Sequence, residues 1–384
     1  MNDIKNRLLV THMEIFGRDP LLVRSPGRIN IIGEHTDYND GFVLPGAVDR
    51  YVYVGISPRI NKEINLYSIN FDEHAESNVD NLKKLPQEWA NYVVGVVAEI
   101  GQQLPQGFDL TIYGDVPMGA GMSSSAAFES AVAYALYRVF DLDLSRLELA
   151  KIGQRCEHNY IGVNCGIMDQ FASLFGKPNE VMQLDCRSLD FEYFPLHLGE
   201  YVILLLNTNV NHSLASSAYN ERRSSCEEAV KRLKQVYPEV ISLRDVSVEM
   251  LNKVFSNNEG ECYSRALYVI EEIQRVQEVC QLLQKGDLEQ VGAKMYETHD
   301  SLSRLYEVSC PELDFLVEYM KNFPNQVIGA RMMGGGFGGC TINIVKETFV
   351  EELIEGANKA YNDRFGISIG SYRVKLGCGT EIIG

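Results

Sequence analysis

The chain has 384 residues, 45% of them hydrophobic, which is enough for two domains with substantial cores and too apolar for global disorder. Its formal net charge of −17 argues against nucleic acid or an anionic membrane as partner, since both require basic surface. Nine cysteines without a CxxC pair read as reduced thiols, so a cytoplasmic location is expected.

The first residues lack an apolar run of the kind a secretory leader carries. Short β-rich patterns follow at 51–56 and 63–69, and the apolar spacing of 89–104 predicts a helix. Residues 108–116 alternate as a strand and run into "VPMGAGMSSSAAF" (Val116–Phe128). From 123 to about 140 the chain is alanine-rich and apolar nearly all round, as suits a helix buried inside a domain. Ser145 and Glu148 fit a capping box that opens the next helix. "YVILLL" (201–206) is of strand length and far too short to span a bilayer. Long amphipathic helices are expected at 212–237 and 262–284, strands at 340–345 and 371–376, and a helix between them at 347–361. Strands and helices mix without strict βαβ alternation, so the class is α+β. A domain boundary is placed near 180, giving domains 1–180 and 181–384.

Three stretches carry candidate chemistry. In the first, "SPGRINIIGEHTDYNDGFVLPGAVD" (25–49), a strand runs directly into Glu34, His35, Thr36 and Asp37. Several carboxylates and amides in a short span suit the recognition of sugar hydroxyls, because a site built for a hydroxyl rejects a substrate that leaves its partner unpaired. The plainer alternative is a polar loop of Asx turns with a packed histidine. In the second, Gly119, Ala120, Gly121 and Met122 turn the chain after a strand, and Ser123, Ser124 and Ser125 open a helix. Such a loop and helix start can cradle phosphate. A serine N-cap would explain one serine, not three, and no serine has Glu or Gln three residues on. No Walker A pattern occurs. In the third, "GARMMGGGFGGCTINIV" (329–345), a strand follows the glycines where a dinucleotide fingerprint requires a helix. A glycine-rich hairpin that lets a ligand or another chain segment approach closely is the better reading, with a structural tight turn as its competitor.

In this order the three stretches resemble the motifs of the GHMP small-molecule kinases, and "GRINIIGEHTDYNDG" narrows the resemblance to the galactokinases. "CGIMDQFAS" (165–173) and "NHSLASSAYNERR" (211–223) are similar to further segments of that family. Ala120 and Met122 depart from it, standing where a glycine and a leucine are usual.

The resemblance implies a two-domain fold with ATP and sugar meeting at the domain interface, and phosphoryl transfer from MgATP to the anomeric hydroxyl of α-D-galactose. A sister sugar kinase acting on N-acetylgalactosamine, or a catalytically silent galactose sensor, are its alternatives. Asp169 matches the catalytic aspartate, either base or orienter of the hydroxyl, and Arg28 the arginine beside it. Ser125 and Glu157 match the magnesium ligands. Glu34, His35, Thr36, Asp37, Gly166 and Tyr219 fall at sugar-contacting positions. Ser68 and the 119–125 loop fall at nucleotide-contacting positions. Each has a plainer alternative: a helix-capping aspartate, an ordinary salt bridge, a solvated edge glutamate at 157, a packed core ring at 219. Arg222 and Arg223 are expected to tie their helix to the sheet. A monomer is compatible with all of this.

Overall fold

The computed structural model describes residues 2–383 apart from 102–103, 212–214 and 256–259. Three sheets organise the chain. The first has six strands in the order β13–β1–β3–β6–β4–β5: β1 (Leu21–Asn30), β3 (Pro45–Pro58), β4 (Glu63–Ser68), β5 (Glu73–Asn78), β6 (Phe108–Gly114) and β13 (Glu381–Ile382). Among the described residues only β4 and β6 pair in parallel. A three-stranded sheet joins β2 (Phe42–Val43), β7 (Glu180–Asp185) and β8 (Phe191–Pro195). The third is antiparallel, in the order β10–β11–β9–β12, from β9 (Tyr201–Asn211), β10 (Val327–Met332), β11 (Gly338–Lys346) and β12 (Gly370–Val374).

Eleven α-helices are described: α1 (Asn2–Phe16), α2 (Ala90–Ile100), α3 (Ser124–Val139), α4 (Arg146–Cys156), α5 (Met168–Phe175), α6 (Ala215–Lys234), α7 (Val248–Val254), α8 (Glu261–Lys285), α9 (Leu288–Arg304), α10 (Pro311–Met320) and α11 (Val350–Phe365). The expected elements are present, with ends shifted by a few residues. Residues 102–103, in the expected 89–104 helix, and 212–214, at the start of the expected 212–237 helix, lie outside the described residues. The capping box at Ser145 is complete: its side chain accepts from the Glu148 amide, and the Glu148 carboxylate accepts from the Ser145 amide. α3 is buried without interruption from Ala126 to Leu136, as its all-round apolarity requires, and it packs against β1, β3, α2, α4 and α5. Ile203, Leu204, Leu205 and Leu206 are all buried, because β9 is an inner strand with both faces covered.

β13, from the far end of the chain, pairs with β1, where Val23 lies opposite Ile382. The main apolar core runs on from Val23, Val54 and Ala131 to Val276, Met295 and Ile342, so it draws on both sides of residue 180. No helix among the described residues is long and apolar enough to cross a membrane.

The C-terminal layer meets itself at two glycines. α9 lies on β10 with Gly292 against the strand backbone, where an added Cβ would stand 2.0 Å from the Ile328 carbonyl oxygen, and Gly329 faces it from the strand. Because β10 leads into the 333–337 turn, this contact sets the height of that turn. Gly292→Ala is expected to destabilise the fold by about 1–3 kcal/mol through overpacking, read as a lower urea midpoint with an unchanged slope.

Candidate active site

The site begins where β1 ends. A bulge between Pro26 and Arg28 breaks its register with β3, and the Arg28 amide donates instead to the Met122 carbonyl at 3.0 Å. Gly27 permits this approach, since a Cβ there would meet that same carbonyl oxygen at 2.7 Å. The bulge thereby aims Arg28 under the phosphate loop. Its Nε donates to Asp169 Oδ1 at 2.8 Å, its Nη2 to Oδ2 at 3.1 Å, and its Nη1 to the Gly121 carbonyl. Burial works against this guanidinium, but the charges of Asp169 and Glu34 outweigh it and raise its pKa further.

Asp169 sits in the first turn of α5. The Ser123 hydroxyl donates to its Oδ2, and Ser123 adopts a left-handed backbone (φ 53°) without capping α3. The simple N-cap alternative is thus set aside by the geometry: Ser123 belongs to the aspartate. Ser124 and Ser125 occupy the open first turn of α3, whose amides have no intrahelical partner.

A cavity of about 250 Å³ forms around Asp169, lined by Arg28, Glu34, His35, Asp37, Ser125, Glu157, Gly166 and Tyr219, and bounded by Gly334 and Gly335 of the hairpin turn. A larger one of about 920 Å³ adjoins it through the shared residues Tyr92 and Ser125, and holds Ser68 and Ser124 in its wall. Asp169 and Ser125, 44 positions apart in sequence, thus face one cleft.

Within the smaller cavity the charges are individually arranged. Glu34 Oε1 accepts from Arg331 Nη2 at 3.0 Å and from the Gly334 amide at 2.9 Å. Burial alone would protonate this carboxyl, but Arg331 and Arg28 hold its pKa below the usual value. On Asp37 the Tyr38 amide and Arg28 act in the same sense, but they are outweighed. Burial, and then the like charge of Asp169, push its pKa up to about 7. Gly166 is a glycine because Asp37 lies against it: an added Cβ would fall 1.9 Å from Asp37 Oδ2. His35 is packed among the rings of Tyr38, Tyr219 and Tyr306, and burial lowers its pKa to about 4, so it is neutral. Glu157 is 7% exposed, not a solvated edge residue, and stands at the start of a π-helical turn that extends α4. Burial raises its pKa, opposed by a hydrogen bond with Ser125.

The side chains of three expected site residues turn away from the cavities. Thr36 is fully buried and directs its hydroxyl to the carbonyls of Gly33 (2.8 Å) and Phe42 (2.6 Å), so it shapes the loop rather than the cavity wall. Ala120 and Met122 send their side chains into the core, which is why an alanine fits at 120: its methyl points away from the cleft. Arg222 and Arg223 tie α6 to the carbonyls of Tyr306, Glu307 and Asn164 rather than to the sheet, because those are the carbonyls their side chains reach.

The third stretch proves to be the β10–β11 hairpin, and a chain segment comes close to it: the phosphate loop. A Cβ on Gly121 would meet the Met333 carbonyl oxygen at 3.0 Å, and Gly334 and Gly339 face Gly121 and Gly119 in return. Sequence reasoning left Arg331 unassigned, although a glutamate on a buried loop calls for a cation. Trp89, Phe71 and Tyr160 in the larger cavity carried no signal, since aromatic residues of a core and of a binding wall look alike.

Family models match along the chain: the galactokinase galactose-binding signature over residues 11–58, the GHMP kinases N-terminal domain over 91–177 and the GHMP kinases C-terminal domain over 279–363. A galactokinase of Thermosipho africanus is 43% identical over 364 residues, covering 94% of this chain and 99% of that protein. The chain belongs to the galactokinase family. A galactokinase of Clostridium perfringens is 40% identical over 98% of this chain and 99% of its own length. Among solved structures, Lactococcus lactis galactokinase complexed with galactose superposes with a TM-score of 0.94 at 35% identity, covering 99% of this chain and all of that one. Methanococcus jannaschii mevalonate kinase shares the fold, with a TM-score of 0.65 at 17% identity over 94% of this chain and 99% of its own. The two-domain GHMP kinase fold expected from the motifs is therefore the fold of this family member.

A carboxyl whose folded pKa lies above its unfolded value contributes stability that is complete below the unfolded pKa and lost as pH rises through the folded one. For Asp37 the loss runs from the ordinary value of 3.8 up to about 7 and is complete above that. The urea midpoint of the ligand-free protein is expected to fall between about pH 5 and 7 and to level off above, and Asp37→Asn to fall less over the same range.

Proposed function

We propose that the chain transfers the γ-phosphoryl group of ATP to the anomeric hydroxyl of α-D-galactose, releasing galactose 1-phosphate and ADP. One observation carries this reading: a guanidinium-held carboxylate lies in a small cavity rich in acids, at the point where that cavity opens onto a phosphate loop and a larger, partly aromatic cleft. The sugar belongs in the first cavity and the nucleotide in the second, with Ser68, Gly119, Gly121, Ser124 and Ser125 on the nucleotide side.

In the reaction the C1 oxygen bonds to the γ-phosphorus, and the bond to the bridging oxygen breaks with its electron pair leaving on ADP. Asp169 receives the hydroxyl proton. Both of its oxygens already accept donors from Arg28 and Ser123, so in this reading it first orients the hydroxyl and takes the proton as the new bond forms, in keeping with a loose transition state. Arg28 keeps it ionised and offsets charge on the transferring group. Glu34, presented in one orientation by Arg331 and Gly334, accepts from sugar hydroxyls together with Asp37, and Gly166 and Tyr219 close the pocket.

A magnesium ion fits Ser125 and Glu157. A buried carboxyl with a raised pKa gains from a cation, and one hydroxyl with one carboxylate suits an ion that takes its other ligands from phosphates and water. Among the described residues no group of three or more His, Cys, Asp or Glu could hold a metal unaided. When bound, the ion would neutralise charge on the β- and γ-phosphates. A single chain supplies every group named, so a monomer suffices. A cytoplasmic setting agrees with nine free cysteines. The division near residue 180 separates the sugar signature and phosphate loop from the glycine hairpin, with β13 returning to the first sheet.

A coupled ADP assay on galactose, 2-deoxygalactose, N-acetylgalactosamine and glucose tests the assignment. Galactose is expected to turn over with the highest kcat/KM. Preference for the 2-acetamido sugar would make the chain a sister kinase, and silence on every sugar at saturating MgATP would make it a sensor. Asp169→Asn is expected to lose about 10²–10⁴-fold in kcat with a galactose KM within a few-fold of wild type. Glu157→Gln is expected to raise the magnesium concentration needed for half-maximal rate while leaving binding of metal-free ATP intact, as measured by calorimetry.

A further inference from the structure

Behind the sugar cavity runs a buried chain of hydrogen bonds that the reaction itself does not use. His35 Nδ1 lies 2.7 Å from the Tyr38 hydroxyl, which lies 2.7 Å from the Tyr306 hydroxyl, which lies 3.3 Å from Cys226 Sγ. The other ring nitrogen, Nε2, is buried without a hydrogen-bond partner in a residue that lines the cavity. His35 also holds a left-handed backbone, φ 63°, which is uncommon outside glycine and marks a residue held in place by its surroundings.

Each O–H or S–H supplies one proton, and two orders use both hydroxyl protons within the chain. In one, Nδ1–H donates to Tyr38, Tyr38 to Tyr306 and Tyr306 to the sulfur. That order ends on the weakest acceptor and leaves a bare Nε2 lone pair in the cavity. In the other, the thiol donates to Tyr306, Tyr306 to Tyr38 and Tyr38 to Nδ1. This order ends on the strongest neutral acceptor, the imine nitrogen.

We propose that Tyr38, Tyr306 and Cys226 fix neutral His35 as the Nε2–H tautomer, so that it serves the sugar cavity only as a hydrogen-bond donor, which makes the two tyrosines positioning residues for sugar selectivity. The selectivity part rests on the sugar-kinase reading above; the tautomer does not. The oxygen that His35 meets is then recognised as an acceptor, and a fluorine at that carbon can stand in for it where a hydrogen cannot.

Nitrogen-15 NMR of histidine-labelled protein tests the tautomer directly, with the His35 signals identified by their loss in His35→Gln. Wild type is expected to show a protonated Nε2 and an unprotonated Nδ1 between pH 6 and 8, and Tyr38→Phe to show a mixture. Nδ1 protonation in wild type, or an unchanged tautomer in a folded Tyr38→Phe, overturns the proposal; if that variant does not fold, the wild-type spectrum decides. In the kinetic arm, the 2-, 3-, 4- and 6-deoxy and deoxyfluoro galactoses are compared. At one carbon the fluoro sugar is expected to keep a KM about tenfold lower than the deoxy sugar, the worth of one hydrogen bond, and Tyr38→Phe to abolish that difference with kcat little changed. No position at which fluorine outperforms hydrogen overturns the selectivity claim. Absence of turnover on any sugar would instead refute the kinase reading, leaving the NMR result to stand or fall by itself.

Discussion

The fork of Arg28 holds three separate pieces of chain together. One guanidinium grips both oxygens of Asp169 on α5 and the carbonyl of Gly121 in the phosphate loop, while its own backbone amide bonds Met122. Strand, loop and helix therefore share one reference point, and it lies at the reacting end of the cleft. A lysine could match the charge but not the planar set of donors. The arrangement also explains the bulge at Pro26–Arg28: without it the side chain would continue the register of β1 and face the wrong side of the sheet.

The rest of the site follows from how buried acids are treated. Glu34 is paired with Arg331 and a backbone amide and stays ionised, whereas for Asp37 burial and the charge of Asp169 outweigh the Tyr38 amide and Arg28 and raise its pKa to about 7. Two carboxyls three residues apart thus enter the same cavity in different states. A chain of net charge −17 can still receive a nucleotide because the compensation is local. It comes from Arg28 and the open first turn of α3, and in the function proposed above a magnesium ion at Ser125 and Glu157 would add to it. The overall charge excludes broad polyanionic partners and says little about one screened cleft.

Glycine has two distinct tasks in the two glycine-rich motifs. In the phosphate loop, left-handed φ values at Gly119 and Gly121 make the turn. In the β10–β11 hairpin, Gly334 and Gly339 also hold left-handed φ values and lie in van der Waals reach of that loop. The hairpin is a buttress for the loop and for Glu34. The α9–β10 contact at Gly292 in turn positions the hairpin.

The sequence by itself determined the α+β class, the buried α3 and the capped start of α4, and it singled out the three motifs as candidates. These are local matters, since periodicity, turn residues and side-chain type act within a few residues of one another. It also named Arg28, Asp169, Glu34, His35, Asp37, Ser125 and Glu157 as candidates, through their match to a family pattern, and the folded chain brings all seven to one cavity. Only the tertiary structure decided which of their neighbours act on them. Thr36 was drawn to the backbone by two carbonyls that no local pattern reveals, and Ser123 left its helix to serve an aspartate 46 positions away. Arg331 found Glu34 from 297 positions away, and β13 crossed the whole chain to pair with β1. Burial and long-range pairing are properties of the packed chain, and they set whether a carboxyl is charged and which way a histidine holds its proton.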